Sequence, residues 1–136
     1  MTTTGKIELM APAGNFESLQ AALDNGADSI YFGVEQLNMR ARASINFTLD
    51  DLQEISERCK AKNVRTYLTL NTIIYDHDLT IVKTLLQKAN DADITAVIAM
   101  DQAVIASARA IGMEVHISTQ INITNIETAR FYAMFA

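Results

Sequence analysis

Five stretches of the chain alternate apolar and polar residues, and each runs into a capped helical pattern. They are IELMAPAGN (7–15), SIYFGVE (29–35), VRTYLTLNT (64–72), TAVIAMD (95–101) and EVHISTQIN (114–122). Successive side chains of a strand point to opposite faces, so each stretch sorts into two sets. Leu9, Ile30, Phe32, Leu68, Leu70, Ile98, Met100, Val115 and Ile117 form an apolar set suited to packing under helices. Glu8, Tyr31, Tyr67, Thr69, Asn71, Asp101, His116, Ser118 and Gln120 form a polar one. An open α/β sheet covered by helices on both sides reads apolar on both faces. A single polar face that feeds loops at the strand ends predicts part of a barrel with a site at its mouth.

The helix signals between the strands are legible. Asn15 can cap FESLQAALDN, which stops at Gly26, where a left-handed exit is expected. Thr48 with Asp51 makes a capping box for a helix that closes at Asn63, with Leu49, Leu52, Ile55 and Cys59 on one face. Asp76 or Asp78 can start a third helix, in which Leu79, Val82, Leu85, Leu86 and Ala89 recur at helical spacing. Val104 to Ile111 predict a short helix ending at Gly112, and Thr124 with Glu127 a capping box opening the last one near Asn125.

Five βα units in strict alternation demand a parallel sheet. The predicted fold is therefore α/β, a parallel (βα)5 partial TIM-type barrel, since a whole barrel takes eight units and about 250 residues. Residues 1–136 read as a single incomplete domain, the N-terminal portion of a (β/α)8 barrel. The apolar run from Arg130 to Ala136 carries no helix-stop signal, as if cut within or just after a helix. Either the chain is an N-terminal fragment or copies pair through open sheet edges into a homo-oligomer.

Composition narrows the partners. Net charge is −5, from 11 basic and 16 acidic residues, which argues against unaided grip on a nucleic-acid backbone. An RNA substrate stays open if another domain brings positive charge. Cys59 is the chain's one cysteine, so it makes neither an internal disulfide nor, by itself, a metal or cluster site. Its place in LQEISERCKAK suits a small, half-buried packing position. Met1–Lys6 has no apolar signal segment, and no run of about 18 apolar residues could cross a bilayer. A cytoplasmic, reducing compartment is expected.

The residues able to do chemistry gather at predicted strand ends. Ala11-Pro12-Ala13-Gly14-Asn15 closes a strand and opens a helix, where amides favour an anion, although Gly14 and Asn15 also suit a plain turn and cap. The second loop carries Asn38, Arg40 and Arg42, whose guanidinium forks match carboxylate or phosphate oxygens; pairing with Glu35 or simple solvation is the alternative. Thr69 and Asn71, Asp101, then Ser118 and Gln120 put polar groups at the ends of three successive strands. Burying such groups unpartnered costs about 1–3 kcal/mol each, so their recurrence points to a purpose. His116 lies two residues deeper than Ser118, which suits a supporting role, and His77 a solvated helix start. Ser118, His116 and Asp101 have the residue types of a catalytic triad, but strand parity alone sets no triad geometry. No metal-ligand set is visible. The substrate- or anion-binding candidates are Asn15, Asn38, Arg40, Arg42, Asn71, Asp101, Ser118 and Gln120.

Several runs then match a known family in order and register. LMAPAGNFESLQAALDNGADSIYFG, Asn38-Met39-Arg40-Ala41-Arg42, Tyr67-Leu68-Thr69-Leu70-Asn71-Thr72 and Ser118-Thr119-Gln120 with Thr124-Asn125 resemble the N-terminal part of the collagenase-like peptidase family U32, over about residues 7–135. The resemblance implies a TIM-type barrel, and by the family label a protease. It equally implies kinship with oxygen-independent hydroxylation proteins, among them prephenate-dependent ones acting on transfer-RNA uridine or ribosomal-RNA cytidine. Those relatives hold an iron–sulfur cluster through cysteines lying mostly downstream. With only Cys59 this segment would carry no cofactor and be inactive alone, while a full-length parent could carry a cluster. In the hydroxylation alternative, Arg40 and Arg42 would hold an anionic co-substrate such as prephenate, with Asn71 and Gln120 orienting groups nearby. Peptide hydrolysis and a non-catalytic, self-associating half-barrel are the other two.

Overall fold

A computed structural model of the 136-residue chain describes residues 5–35 and 47–136. Ten elements alternate: β1 (Met10–Pro12), α1 (Phe16–Asp24), β2 (Ser29–Phe32), α2 (Leu52–Ala61), β3 (Arg65–Leu70), α3 (Leu79–Asp91), β4 (Ala96–Ala99), α4 (Gln102–Ala110), β5 (Glu114–Ile117) and α5 (Ile126–Tyr132). All strand pairs are parallel, and the sheet order is β1-β2-β3-β4-β5. A doubly wound sheet reverses its strand order at a switch point. Strict sequence order without reversal is the barrel sense, so the chain is a five-unit partial TIM-type barrel, as its sequence predicts.

Register decides which side chains share a face. Phe32 pairs with Leu68, Leu68 with Val97, and Val97 with Val115. This row is buried beneath the helices, joined by Ile30 and Leu70 from the sheet. From the helices come Leu19 and Leu23, Leu52 and Ile55, Val82 and Leu86, and Val104 and Ala108. Each recurs at three- or four-residue spacing, the stripe an amphipathic helix buries. Phe47, fully buried, packs edge-on against Phe16 (5.1 Å) and Phe32 (5.7 Å) and bridges to Val34.

The helix ends follow local chemistry. Asn15 Oδ1 accepts from Ser18 N at 2.8 Å while Ser18 Oγ accepts from Asn15 N, a reciprocal cap for α1. Asp51 accepts from both Thr48 N and Thr48 Oγ1, opening a 3₁₀ turn that runs into α2. The exits from α1 and α4 use Gly26 (φ 82°) and Gly112 (φ 74°), where a Cβ would be strained.

Four expectations need correction. β4 has the opposite parity to the one predicted: Val97 and Ala99 face the helices, while Ile98 stands in register with Thr69 and His116 on the other face. Leu9 precedes β1 and is 57% exposed instead of lying under a helix. α5 is capped by Asn125, which accepts from Thr128 N at 2.9 Å, with no Thr124–Glu127 box. Cys59 is fully buried, not half-buried, and burial pushes its thiol up to about 11, which keeps it protonated and inert.

Candidate functional site

The face away from the helices carries Tyr31, Arg65, Tyr67, Thr69, Glu114 and His116, with Glu8 just ahead of β1. Its two ends differ in construction. At the N-terminal ends of the strands, charges from β3, β5 and the segment ahead of β1 meet. Arg65 Nη2 donates to Glu114 Oε1 at 2.8 Å and Arg65 Nη1 stands 3.7 Å from Glu8 Oε2. Tyr67 Oη donates to Glu8 Oε1 at 2.5 Å, and His116 Nε2 lies 2.6 Å from Glu114 Oε1. The Tyr67 and His116 rings sit 4.7 Å apart, and the Arg65 guanidinium lies 5.2 Å from the Tyr67 ring centre. Neighbouring strands are about 4.8 Å apart, so β1 and β5 each stand about 10 Å from β3. Their side chains nevertheless converge on Arg65 and Tyr67, which fits a sheet that is concave on this face.

Electrostatics follows from these contacts. The hydrogen bond from His116, then Arg65, holds the Glu114 carboxyl below the usual carboxylate range. Glu8 is lowered by the adjoining Ser29 hydroxyl, by Tyr67 and by Arg65; the buried Ser29 Oγ lies close enough to favour the ionised form yet outside hydrogen-bond geometry. Burial, reinforced by the bond to Glu8, pushes the Tyr67 phenol up to about 12.

The C-terminal ends carry neutral polar groups. Asn71 Nδ2 donates to Ser118 Oγ at 3.3 Å, joining the ends of β3 and β5 over the top of β4. Ser118 also accepts from Gln120 N at 3.2 Å, because it caps a 3₁₀ turn over Thr119–Ile121. Ser118 is 4% exposed. One level below, Thr69 Oγ1 donates to Phe32 O at 2.9 Å.

Of the eight candidates, the structure brings Asn71 and Ser118 together. Asn15 is spent as the cap of α1. Asp101 does not share the polar face: the reversed β4 parity carries it away, and its Oδ1 caps α4 by accepting from Ala103 N at 2.8 Å. Gln120 is not a strand residue either, since β5 ends at Ile117 and its side chain is exposed on the turn. Asn38, Arg40 and Arg42 lie outside the described residues. Sequence reasoning missed Arg65 and Glu114, although each stands two residues before a recognised polar-face residue, Tyr67 and His116.

No group of three or more His, Cys, Asp or Glu among the described residues could hold a metal. An iron–sulfur cluster does not fit these residues, because Cys59 stands alone, buried in α2 with a raised thiol. No helix among the described residues is long and apolar enough to cross a membrane.

Comparison with known proteins places this geometry. The model of peptidase family U32 matches residues 14–135. A collagenase of Porphyromonas gingivalis is 54% identical over 95% of this chain and 31% of its own length. An uncharacterized protease of Methanocaldococcus jannaschii is 42% identical over 96% of this chain and 32% of its own. A tRNA hydroxylation protein of Bacillus subtilis is 32% identical over 95% and 31%. The chain thus spans about a third of the length of the curated relatives it matches. A solved U32 peptidase superposes on all of this chain and 58% of its own, with a TM-score of 0.72 at 12% identity, a likeness of fold. The chain belongs to peptidase family U32.

Proposed function

We propose that this chain is the N-terminal barrel segment of a U32 protein acting in oxygen-independent hydroxylation of RNA with an anionic co-substrate such as prephenate. The mouth at Asn71 and Ser118 then orients polar groups of substrate or co-substrate, and Arg40 and Arg42 supply the positive charge for the anion. The observation that carries this reading is the state of Ser118. A serine hydroxyl has two acceptor positions and one donor. Asn71 Nδ2 and Gln120 N occupy the acceptor side, and no described residue takes the proton. Such a hydroxyl serves recognition; a hydrolytic nucleophile needs an adjoining base. The kinship with a tRNA hydroxylation protein supports the same class.

Peptide hydrolysis is the second reading, favoured by the higher identity to a collagenase and an uncharacterized protease. The 136-residue segment by itself, with β1 and β5 as open sheet edges, is proposed to self-associate. A cytoplasmic site of action goes with an RNA substrate.

The test is deletion of the gene followed by nucleoside mass spectrometry of transfer and ribosomal RNA. Loss of a hydroxylated uridine or cytidine, restored by the full-length gene, is expected. Unchanged nucleosides, together with peptide cleavage by the purified full-length protein, would put peptidase activity in its place.

A further inference from the structure

The loop that leaves β3 carries Ile73 and Tyr75, 62% and 61% exposed, and His77, whose side chain is 80% exposed. Scattered exposed apolar residues need no explanation, whereas a group of them rimmed by polar residues marks a contact surface. The Tyr75 and His77 rings are parallel to within 1°, with centroids 5.8 Å apart. Asp78 anchors both. Its Oδ2 accepts from Tyr75 N at 3.0 Å, its own N–H donates to Tyr75 O at 2.9 Å, and its Oδ1 stands 3.5 Å from His77 Nε2. All three residues belong to, or directly precede, the 3₁₀ turn Asp76–Asp78 that feeds α3. The turn thus fixes the backbone beneath both rings, which leaves a tyrosine there with two side-chain torsions to order on binding. Asn71 of the mouth pair lies four residues upstream on the same strand exit.

We infer that Tyr75 and His77 form a stacking platform at the barrel rim for an unpaired nucleobase of the RNA substrate. This rests on the RNA reading above and names how the strand is held beside the mouth. Unpaired bases are recognised by stacking on aromatic and histidine rings. Two parallel rings present a flat outer face that a base continues, whereas side-chain rings of a peptide meet aromatics edge-on as readily as face-on. Asp76 and Asp78 flank the rings and the chain carries −5, so phosphate contacts do not supply the local affinity. The platform's contribution is consequently insensitive to salt.

The full-length protein tests this with a fluorescein-labelled, unstructured RNA 12-mer followed by anisotropy, and with steady-state hydroxylation of its RNA. Tyr75→Ala is expected to raise Kd and KM about tenfold, with kcat held within about twofold. The same ratio to wild type is expected at about 50 and 200 mM salt. Tyr75→Phe keeps the ring face and should stay near wild type; Asp78→Ala, which loosens the turn beneath the rings without removing them, should fall between. Circular dichroism confirms that the variants fold, and His77→Ala repeats the test should Tyr75→Ala not fold. If wild type binds and modifies RNA while Tyr75→Ala matches it within about twofold, the platform is overturned and the RNA reading stands. If wild type neither binds nor modifies RNA, both fall. Tyr75-dependent binding of a proline-bearing peptide in place of RNA overturns the base assignment.

Discussion

The two ends of the concave face are built from similar amounts of polar side chain put to opposite uses. At the N-terminal end the charges are answered by neighbours: Arg65 by Glu114 and Glu8, Glu8 by Tyr67, and Glu114 also by His116 of its own strand. At the C-terminal end the groups on this face are neutral among the described residues, and Asn71 meets Ser118 between strands at 3.3 Å. A charge network whose members answer one another spans the sheet and offers little to a ligand. Neutral groups over strand ends cost less to desolvate beneath a ligand and can trade a weak mutual bond for a substrate. Barrel enzymes divide stability and chemistry between their two ends in this sense.

That contrast can be broken or sharpened by substitution. The largest stability effect is expected at Asn15, a candidate ligand by position but a cap by structure. Asn15→Ala should cost about 1 kcal/mol of stability, read by denaturant melts, while specific activity of the full-length protein stays unchanged. An activity loss beyond the stability loss would return Asn15 to the site. Arg65→Met should cost less, about 0.5 kcal/mol at neutral pH, because all three partners are near half exposed and screened. Its effect has a direction in pH. Glu114 and Glu8 have depressed folded values, so their contribution is full above the ordinary carboxylate value of about 4.3 and lost as pH falls through the folded ones. Wild type and Arg65→Met should thus converge in acid, as followed by thermal melts across pH. A gap that persists unchanged into acid would mean the arginine acts through packing alone.

How much of this was legible in the sequence depended on whether each residue's environment was local. The caps at Asn15 and Thr48–Asp51 and the exits at Gly26, Asn63 and Gly112 are decided within a few residues, and they stand where predicted. Strand β4 was not decidable this way. In TAVIAMD both parities are apolar, so its face is set by the register of Val97 against Leu68 and Val115. That one ambiguity carried Asp101 to the wrong face. Gln120 was lost to a turn: Ser118 accepts from Gln120 N and folds the chain into a 3₁₀ turn, a local competition with the strand that alternation cannot register. The charge network escaped notice because Glu8, Arg65 and Glu114 meet only through curvature, across two strands on either side.

The most direct measurement is kcat/KM of the full-length protein carrying Asn71→Ala, set beside Arg65→Met. The mouth variant should lose about tenfold, the worth of one hydrogen bond near 1.4 kcal/mol, with its Tm nearly unchanged, while Arg65→Met keeps wild-type kcat/KM. Full activity in Asn71→Ala alongside a deep loss in Arg65→Met would move the working end of the barrel to the charged side and contradict the account.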